Sequence, residues 1–216
     1  MKAAIVIPAF NEADSIAAVV ASVCVYGTPI VVDDGSSDDT ALLASKAGAV
    51  VVRQEVNGGY DEALALGFAR ADEIGADAVV SIDADGQLDS AAIPRALEKL
   101  KKADLVLGVR DSGAARYSEA LFNLYSRARF GVPDILCGFK AFRMDRYRSQ
   151  SQRAKEPSVY TAVALALLRR GVPYELVPVA VRPRADDVSR FGASWRGELR
   201  IFRALGRALM DDLGRR

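Results

Sequence analysis

Five short apolar runs, Ala3 to Ile7, Ile30 to Val32, Ala49 to Val52, Ala78 to Ile82 and Leu105 to Val109, punctuate the first half of the chain. They are rich in Val and Ile and do not alternate with polar residues, the pattern of strands covered on both faces in a parallel sheet. Stretches with helical spacing separate them. Asp14 or Ser15 can cap a helix running to Val25, Asp38 or Asp39 one to Ala47, and Ser90 one to Lys101, while Gly59 to Ile74 supplies another. The order βαβαβαβαβ is the start of a doubly wound α/β fold.

Beyond Val109 the pattern loosens. Asp111 to Arg116 is small and polar and reads as a loop, followed by a helix from Tyr117 to Phe130 and a short apolar segment from Ile135 to Phe142. A helix from Ser158 to Arg170 ends at Gly171, Pro173 to Val181 reads as a strand, and Arg182 to Gly192 as a second loop. The tail from Trp195 to Leu213 places Trp195, Leu199, Phe202 and Leu205 or Leu209 on one side and Arg196, Arg200, Arg203 and Arg207 elsewhere. Such an amphipathic helix suits a core or a membrane interface.

The 216 residues are half hydrophobic, enough for one domain with a sizeable core. No run approaches the roughly 18 apolar residues of a membrane span, and the N-terminus has no basic region ahead of an apolar stretch. The chain is therefore expected to be cytoplasmic, or peripheral on the cytoplasmic membrane face. Cys24 and Cys137 stand in apolar surroundings and read as reduced, buried thiols.

Net charge of +1 hides an asymmetry. Residues 1–107 carry 8 Lys+Arg against 17 Asp+Glu, or −9, and residues 108–216 carry 21 against 11, or +10. An acidic half suits a divalent cation, and an Arg-rich half suits phosphates or an anionic membrane surface. The single domain divides accordingly into an acidic half (1–107), a basic stretch (108–192) and the C-terminal helix (193–216).

Acidic clusters sit where the apolar runs end: Pro8-Ala9-Phe10-Asn11-Glu12, Asp33-Asp34-Gly35-Ser36, Asn57-Gly58-Gly59-Tyr60-Asp61 and Asp83-Ala84-Asp85-Gly86-Gln87. In an open α/β sheet, ligands bind at the carboxyl ends of the strands. Asp83 and Asp85, with the amide oxygen of Gln87, offer hard ligands for Mg²⁺ or Mn²⁺, which keeps waters and substrate phosphates in its other positions. Carboxylates at Asp33 and Asp34 can accept hydrogen bonds from a nucleobase or ribose, beside a glycine that lets the backbone approach a ligand.

These four motifs, in this order and spacing, resemble family 2 glycosyltransferases of the GT-A fold. Within that family they are most similar to the dolichol-phosphate-mannose synthase and polyprenyl-phosphate glycosyltransferase branch. Gly108-Val109-Arg110, Asp134-Ile135-Leu136-Cys137-Gly138-Phe139-Lys140 and the stretch from Arg182 to Phe191 extend the resemblance over most of the chain. It implies a Rossmann-like, mostly parallel sheet with helices on both faces. It also implies that Pro8, Phe10, Glu12, Asp33, Asp34, Asn57 and Asp83 surround the donor nucleotide, and that Asp83, Asp85 and Gln87 hold the metal. Arg110, Arg116, Arg182, Arg184, Ser189 and Arg190 would face donor and acceptor phosphates. The chain departs from the pattern in having Ala120 where a serine is expected and Asp187-Val188-Ser189-Arg190 for Gly-x-Ser-Lys.

The chain contains no histidine. A general base for a sugar hydroxyl would then be a carboxylate, with Asp111, Asp134 and Glu175 as candidates. A phosphomonoester needs no base, since its second pKa of about 6 leaves it ionised at neutral pH. The expected function is inverting, metal-dependent transfer of a hexose from GDP-mannose or UDP-glucose to a polyprenyl or dolichyl phosphate, with Asp85, Arg110 and Asp134 catalytic. The alternatives are transfer to a glycan or small-molecule hydroxyl, and a catalytically inactive nucleotide-sugar-binding subunit. No Gly-x-Gly-x-x-Gly follows the first run, against a dinucleotide oxidoreductase. The near-zero net charge and acidic pocket half argue against nucleic acid.

Overall fold

The computed structural model describes residues 1–111, 117–151, 159–182 and 195–213. Seven strands form one sheet: β1 (Ala3–Ala9), β2 (Thr28–Asp33), β3 (Val50–Arg53), β4 (Ala78–Ser81), β5 (Leu105–Arg110), β6 (Lys140–Arg143) and β7 (Tyr174–Val179). Their spatial order is β3-β2-β1-β4-β6-β5-β7. All neighbours pair in parallel except β6, which runs antiparallel between β4 and β5. The apolar runs predicted five consecutive strands, but not that a later, four-residue strand separates the fourth from the fifth. Ser81 marks the insertion: its hydroxyl donates to the Gly138 carbonyl at 2.8 Å, across 57 residues of chain.

The helices are α1 (Ile16–Val23), α2 (Thr40–Lys46), α3 (Tyr60–Glu73), α4 (Ala92–Lys99), α5 (Tyr117–Phe130), α6 (Met144–Ser151), α7 (Val159–Arg169) and α8 (Trp195–Leu213). Side chains alternate across a strand, so β1 serves both layers. Ala4 and Val6 belong to the core cluster that holds apolar residues of α3, α5, α6, α7 and α8, while Ile5 and Ile7 belong to the one that holds those of α1, α2 and α4. This accounts for the unbroken apolar runs. A methyl at Gly67 of α3 would overlap Val6 and lie 3.0 Å from Val32 Cγ2. Close helix–sheet packing thus outweighs glycine's helix cost of about 1 kcal/mol.

Several local expectations change. The Thr40 amide at the start of α2 donates to Asp38 at 3.0 Å, while the Ala91 amide before α4 donates to Asp89 at 3.1 Å, so Asp89 rather than Ser90 serves that end. Helix α6 was not anticipated, because among its described side chains only Met144 and Tyr147 reach the core. Cys24 is exposed at the end of α1, contrary to the burial expected of both cysteines, whereas Cys137 is buried. The apolar side of α8 divides: Leu205 and Ala208 are buried, while Leu199, Phe202 and Leu209 are exposed. Among the described residues no helix is long and apolar enough to cross a membrane.

Candidate active site

The sheet order turns at β1, with β2 and β3 on one side and β4 on the other. The crevice outside their carboxyl ends is where such a sheet binds ligands. Pro8 is buried within β1, Phe10 is exposed at its end, and Glu12 is buried with its carboxylate accepting from Ser15 Oγ at 3.1 Å. Between them Asn11 adopts φ 53°, the left-handed region that non-glycine residues seldom enter. Its amide donates to Ser36 Oγ at 2.9 Å and its Oδ1 accepts the Ser37 amide at 2.9 Å. The Glu12 amide donates to Thr40 Oγ1 at 2.8 Å. The loops after β1 and β2 are thereby stitched together.

Asp33 is fully buried, accepting the Ser36 amide at 3.1 Å and pairing with Arg53 at 3.3 Å. Asp34 accepts the amides of Gly58 at 2.7 Å and Gly59 at 2.9 Å. Those bonds fix the turn after Asn57 and place a carboxylate at the positive N-terminal end of α3; each oxygen keeps a further lone pair. A cleft of about 390 Å³ lined by Gly35, Ser36, Arg53, Gln54 and Glu55 opens beside them.

Asp83 and Asp85 follow β4 across the crevice. Asp83 Oδ1 accepts the Tyr60 hydroxyl at 2.9 Å, and Gly138 closes on the same carboxylate so tightly that a Cβ there would lie 2.6 Å from Oδ1. Burial, then the charge of Asp85, push Asp83 up to about 6, opposed by the Tyr60 hydrogen bond and by the charges of Lys140 and Arg110. A carboxylate enclosed by Tyr60 and Gly138 and facing the charge of Asp85 has the donor chemistry that fits a divalent cation. Among the described residues no group of three or more His, Cys, Asp or Glu gathers; a cation held by two carboxylates would take water and ligand phosphates in its other positions.

The Asp85–Asp89 segment also meets the stretch that follows β7. Asp85 Oδ1 accepts the Gln87 amide at 3.0 Å, and the Arg182 amide donates to the Gln87 carbonyl at 2.8 Å. The Gln87 side-chain nitrogen reaches the Arg182 carbonyl at 3.5 Å, and the Arg182 guanidinium pairs with Asp89 at 3.1 Å. An antiparallel bridge between Leu88 and Val181 holds the two stretches together.

Arg110 and Asp134 pair with one another. Nε and Nη2 of Arg110 donate to the two Asp134 oxygens at 2.8 and 2.9 Å, and Nη2 also reaches Glu119 at 3.1 Å. Burial lowers the guanidinium pKa, but the Asp134 hydrogen bonds and charge outweigh it and hold it above the ordinary value. Asp111, another base candidate, accepts the Val181 amide at 3.1 Å. Glu175 lies at the amino end of β7, away from the crevice, and pairs with Lys99 at 2.8 Å. Arg116, Arg184, Ser189 and Arg190 lie outside the described residues.

The structure adds side chains that sequence reasoning left aside: Tyr60, Gly138, Lys140 and Tyr160. Tyr60, Gly138 and Lys140 fall inside stretches noted as motifs, yet only the fold brings them against Asp83. Lys140 is fully buried; its Nζ donates to the Cys137 carbonyl at 2.7 Å and lies 4.1 Å over the Tyr160 ring. Desolvation lowers its pKa to about 8. Below that pH the folded and unfolded states both carry the proton; above it the folded state loses the proton first, so stability rises with pH. Between pH 8 and about 9.5, unfolding free energy is expected to shift in favour of wild type over Lys140→Met by about 2 kcal/mol. Urea titrations across that range test this, and a constant difference refutes it.

Among the described residues, a seven-stranded, mostly parallel sheet with one antiparallel strand inserted beside β4, and paired carboxylates after β4, defines a GT-A-type α/β fold. The model of glycosyl transferase family 2 matches residues 4–172. The chain belongs to that family. It is 29% identical over 195 residues to glycosyltransferase AglJ of Haloferax volcanii, covering 84% of this chain and 63% of that protein. It is 30% identical over 179 residues to the undecaprenyl-phosphate mannosyltransferase of Micrococcus luteus, covering 74% of each. The chain spans 63% of AglJ and 47% of related Mycobacterium tuberculosis glycosyltransferases. The fold matches glucosyl-3-phosphoglycerate synthase of M. tuberculosis, solved with Mn²⁺, UDP and glucosyl-3-phosphoglycerate, at TM-score 0.75 and 23% identity over 99% of this chain and 80% of that one.

Proposed function

We propose that this protein is an inverting glycosyltransferase that moves a hexose from a nucleoside diphosphate sugar to a polyprenyl phosphate. The observation that carries the reading is the Asp83–Asp85 pair at the switch point, with Arg110 close enough for its charge to act on Asp83. Asp83, Asp85 and Gln87 would hold Mg²⁺ or Mn²⁺. A bound cation supplies Lewis acidity that neutralises charge on the departing diphosphate. Pro8, Phe10, Glu12, Asp33, Asp34 and Asn57 would border the nucleotide, and Arg110 and Arg182 would face phosphates, with Asp134 fixing the Arg110 fork. Arg116, Arg184, Ser189 and Arg190 join them on the family resemblance.

A phosphate acceptor is favoured over a hydroxyl because the three carboxylates named as bases are engaged elsewhere: Asp134 by Arg110, Asp111 by Val181 and Glu175 by Lys99. An already ionised acceptor removes the need for one. The Micrococcus relative, an undecaprenyl-phosphate mannosyltransferase by name, supports the same acceptor class. So does the surface over α5 and α8, which are tied together by Ser118 to Glu198 at 3.2 Å and Tyr125 to Asp212 at 2.8 Å. Tyr117, Leu121 and Leu124 of α5 and Leu199, Phe202 and Leu209 of α8 are exposed, as are Arg127, Arg203 and Arg207 on the same two helices. Apolar and cationic groups together suit an anionic membrane interface.

The test supplies radiolabelled GDP-mannose or UDP-glucose, Mg²⁺ or Mn²⁺, and undecaprenyl phosphate in anionic vesicles, and counts label entering the organic phase. Label that falls at least about 100-fold in Asp85→Ala is the expected outcome and identifies the donor. Metal-dependent donor hydrolysis without organic label would discard the lipid acceptor in favour of a hydroxyl.

A further inference from the structure

We propose that Tyr60 is a positioning residue for Asp83, a role that exists only if Asp83 and Asp85 hold a cation as proposed above. Tyr60 is the first residue of α3, and that helix starts at a fixed place because Asp34 holds the Gly58 and Gly59 amides at 2.7 and 2.9 Å. From there its hydroxyl reaches Asp83 Oδ1 at 2.9 Å. Its ring meets Tyr160 edge to face, 6.4 Å between centroids, and the Tyr160 hydroxyl is anchored on the Gly138 carbonyl at 2.9 Å. The phenol therefore cannot swing away without disturbing the aromatic cluster behind it.

The hydroxyl has a specific task. Asp83 sits beside Asp85, whose charge disfavours a second carboxylate in the same place. Without a cation, repulsion would rotate Asp83 away and the pair would have to reassemble at each binding event. A neutral donor on Oδ1 opposes that rotation, and Gly138 packs closely against the same carboxylate. A phenol, with an ordinary pKa of about 10, keeps its proton at neutral pH and can serve as that donor. Outer groups that orient metal-binding carboxylates typically account for a 10- to 100-fold effect on metal affinity, roughly the range expected here.

Tyr60→Phe removes one oxygen and keeps the ring. Titrating Mn²⁺ against the protein at fixed GDP or UDP, with free Mn²⁺ read by electron paramagnetic resonance, should show affinity about tenfold or more weaker than wild type. Tyr160→Phe is the comparison, because it removes a hydroxyl from the same cluster while the Gly138 carbonyl keeps Ser81 as donor at 2.8 Å. Its Mn²⁺ affinity should stay within about threefold of wild type, well short of the outer-group range. Equal affinity in wild type and Tyr60→Phe overturns the positioning role and leaves the metal site standing. Equal weakening in both variants also overturns it, since the cluster would then act through packing alone. Absence of Mn²⁺ binding by wild type overturns the metal site and the role of Tyr60 with it.

Discussion

Gly138→Ala is expected to reduce metal-dependent transfer by about 10- to 100-fold while the protein still folds. The added methyl would lie 2.6 Å from Asp83 Oδ1 and 2.7 Å from its Cγ, closer than any packed contact allows. One of the two groups must yield. Gly138 is held through its carbonyl by Ser81 and Tyr160 at 2.8 and 2.9 Å, whereas the carboxylate is the end of a short, rotatable side chain. Asp83 therefore moves, leaving Tyr60 and the shared position with Asp85. The core should be spared, because the collision lies on the ligand edge. Steady-state transfer and Mn²⁺ titration, alongside urea unfolding, test the prediction. Wild-type turnover, or collapse of the fold, would contradict it.

Asp134→Asn should lower unfolding free energy by about 3 kcal/mol, the low end of the range for breaking a buried ion pair. The side chains of Arg110 and Asp134 are 17% and 6% exposed. Asparagine can accept only through its carbonyl oxygen, so one guanidinium N–H would face an amide N–H₂. Glu119, at 3.1 Å, continues to compensate part of the charge and keeps the loss from being larger. Against a total of about 5–15 kcal/mol for a typical domain, the change is large. Chemical denaturation measures it directly. An unchanged unfolding midpoint with lost turnover would assign Asp134 to chemistry, as a base, instead of to holding Arg110.

Much of the fold was legible because its determinants are local. Ala3 to Ile7 must be covered on both faces wherever it lies, and Asp83-Ala84-Asp85-Gly86-Gln87 follows an apolar run whatever that run pairs with. Strand identity, most helix spans and the carboxylates of the ligand edge came from such local pattern and composition. Cap chemistry was less secure, since Ser90 and Asp89 are both capable donors' partners and only geometry separates them. The surface of α8 was ambiguous for a related reason: Leu205 and Leu209 both suit an apolar stripe, and the packing of α5 against α8 decides that Leu205 is buried and Leu209 is not.

The sequence by itself determined that this is an α/β chain of the family 2 type, with its acidic motifs at strand ends and its arginines in the second half. The tertiary structure alone decided that β6 enters between β4 and β5, that Tyr60 and Gly138 enclose Asp83, that Arg110 and Asp134 engage one another, and that Arg182 lies against Gln87. The physical reason is separation along the chain. The Tyr60–Asp83 bond spans 23 residues, the Arg110–Asp134 fork 24 and the Gln87–Arg182 contact 95. Hydrophobic period and turn chemistry act over a few residues; these partners meet only when the sheet order and its one antiparallel strand bring distant loops to the same edge.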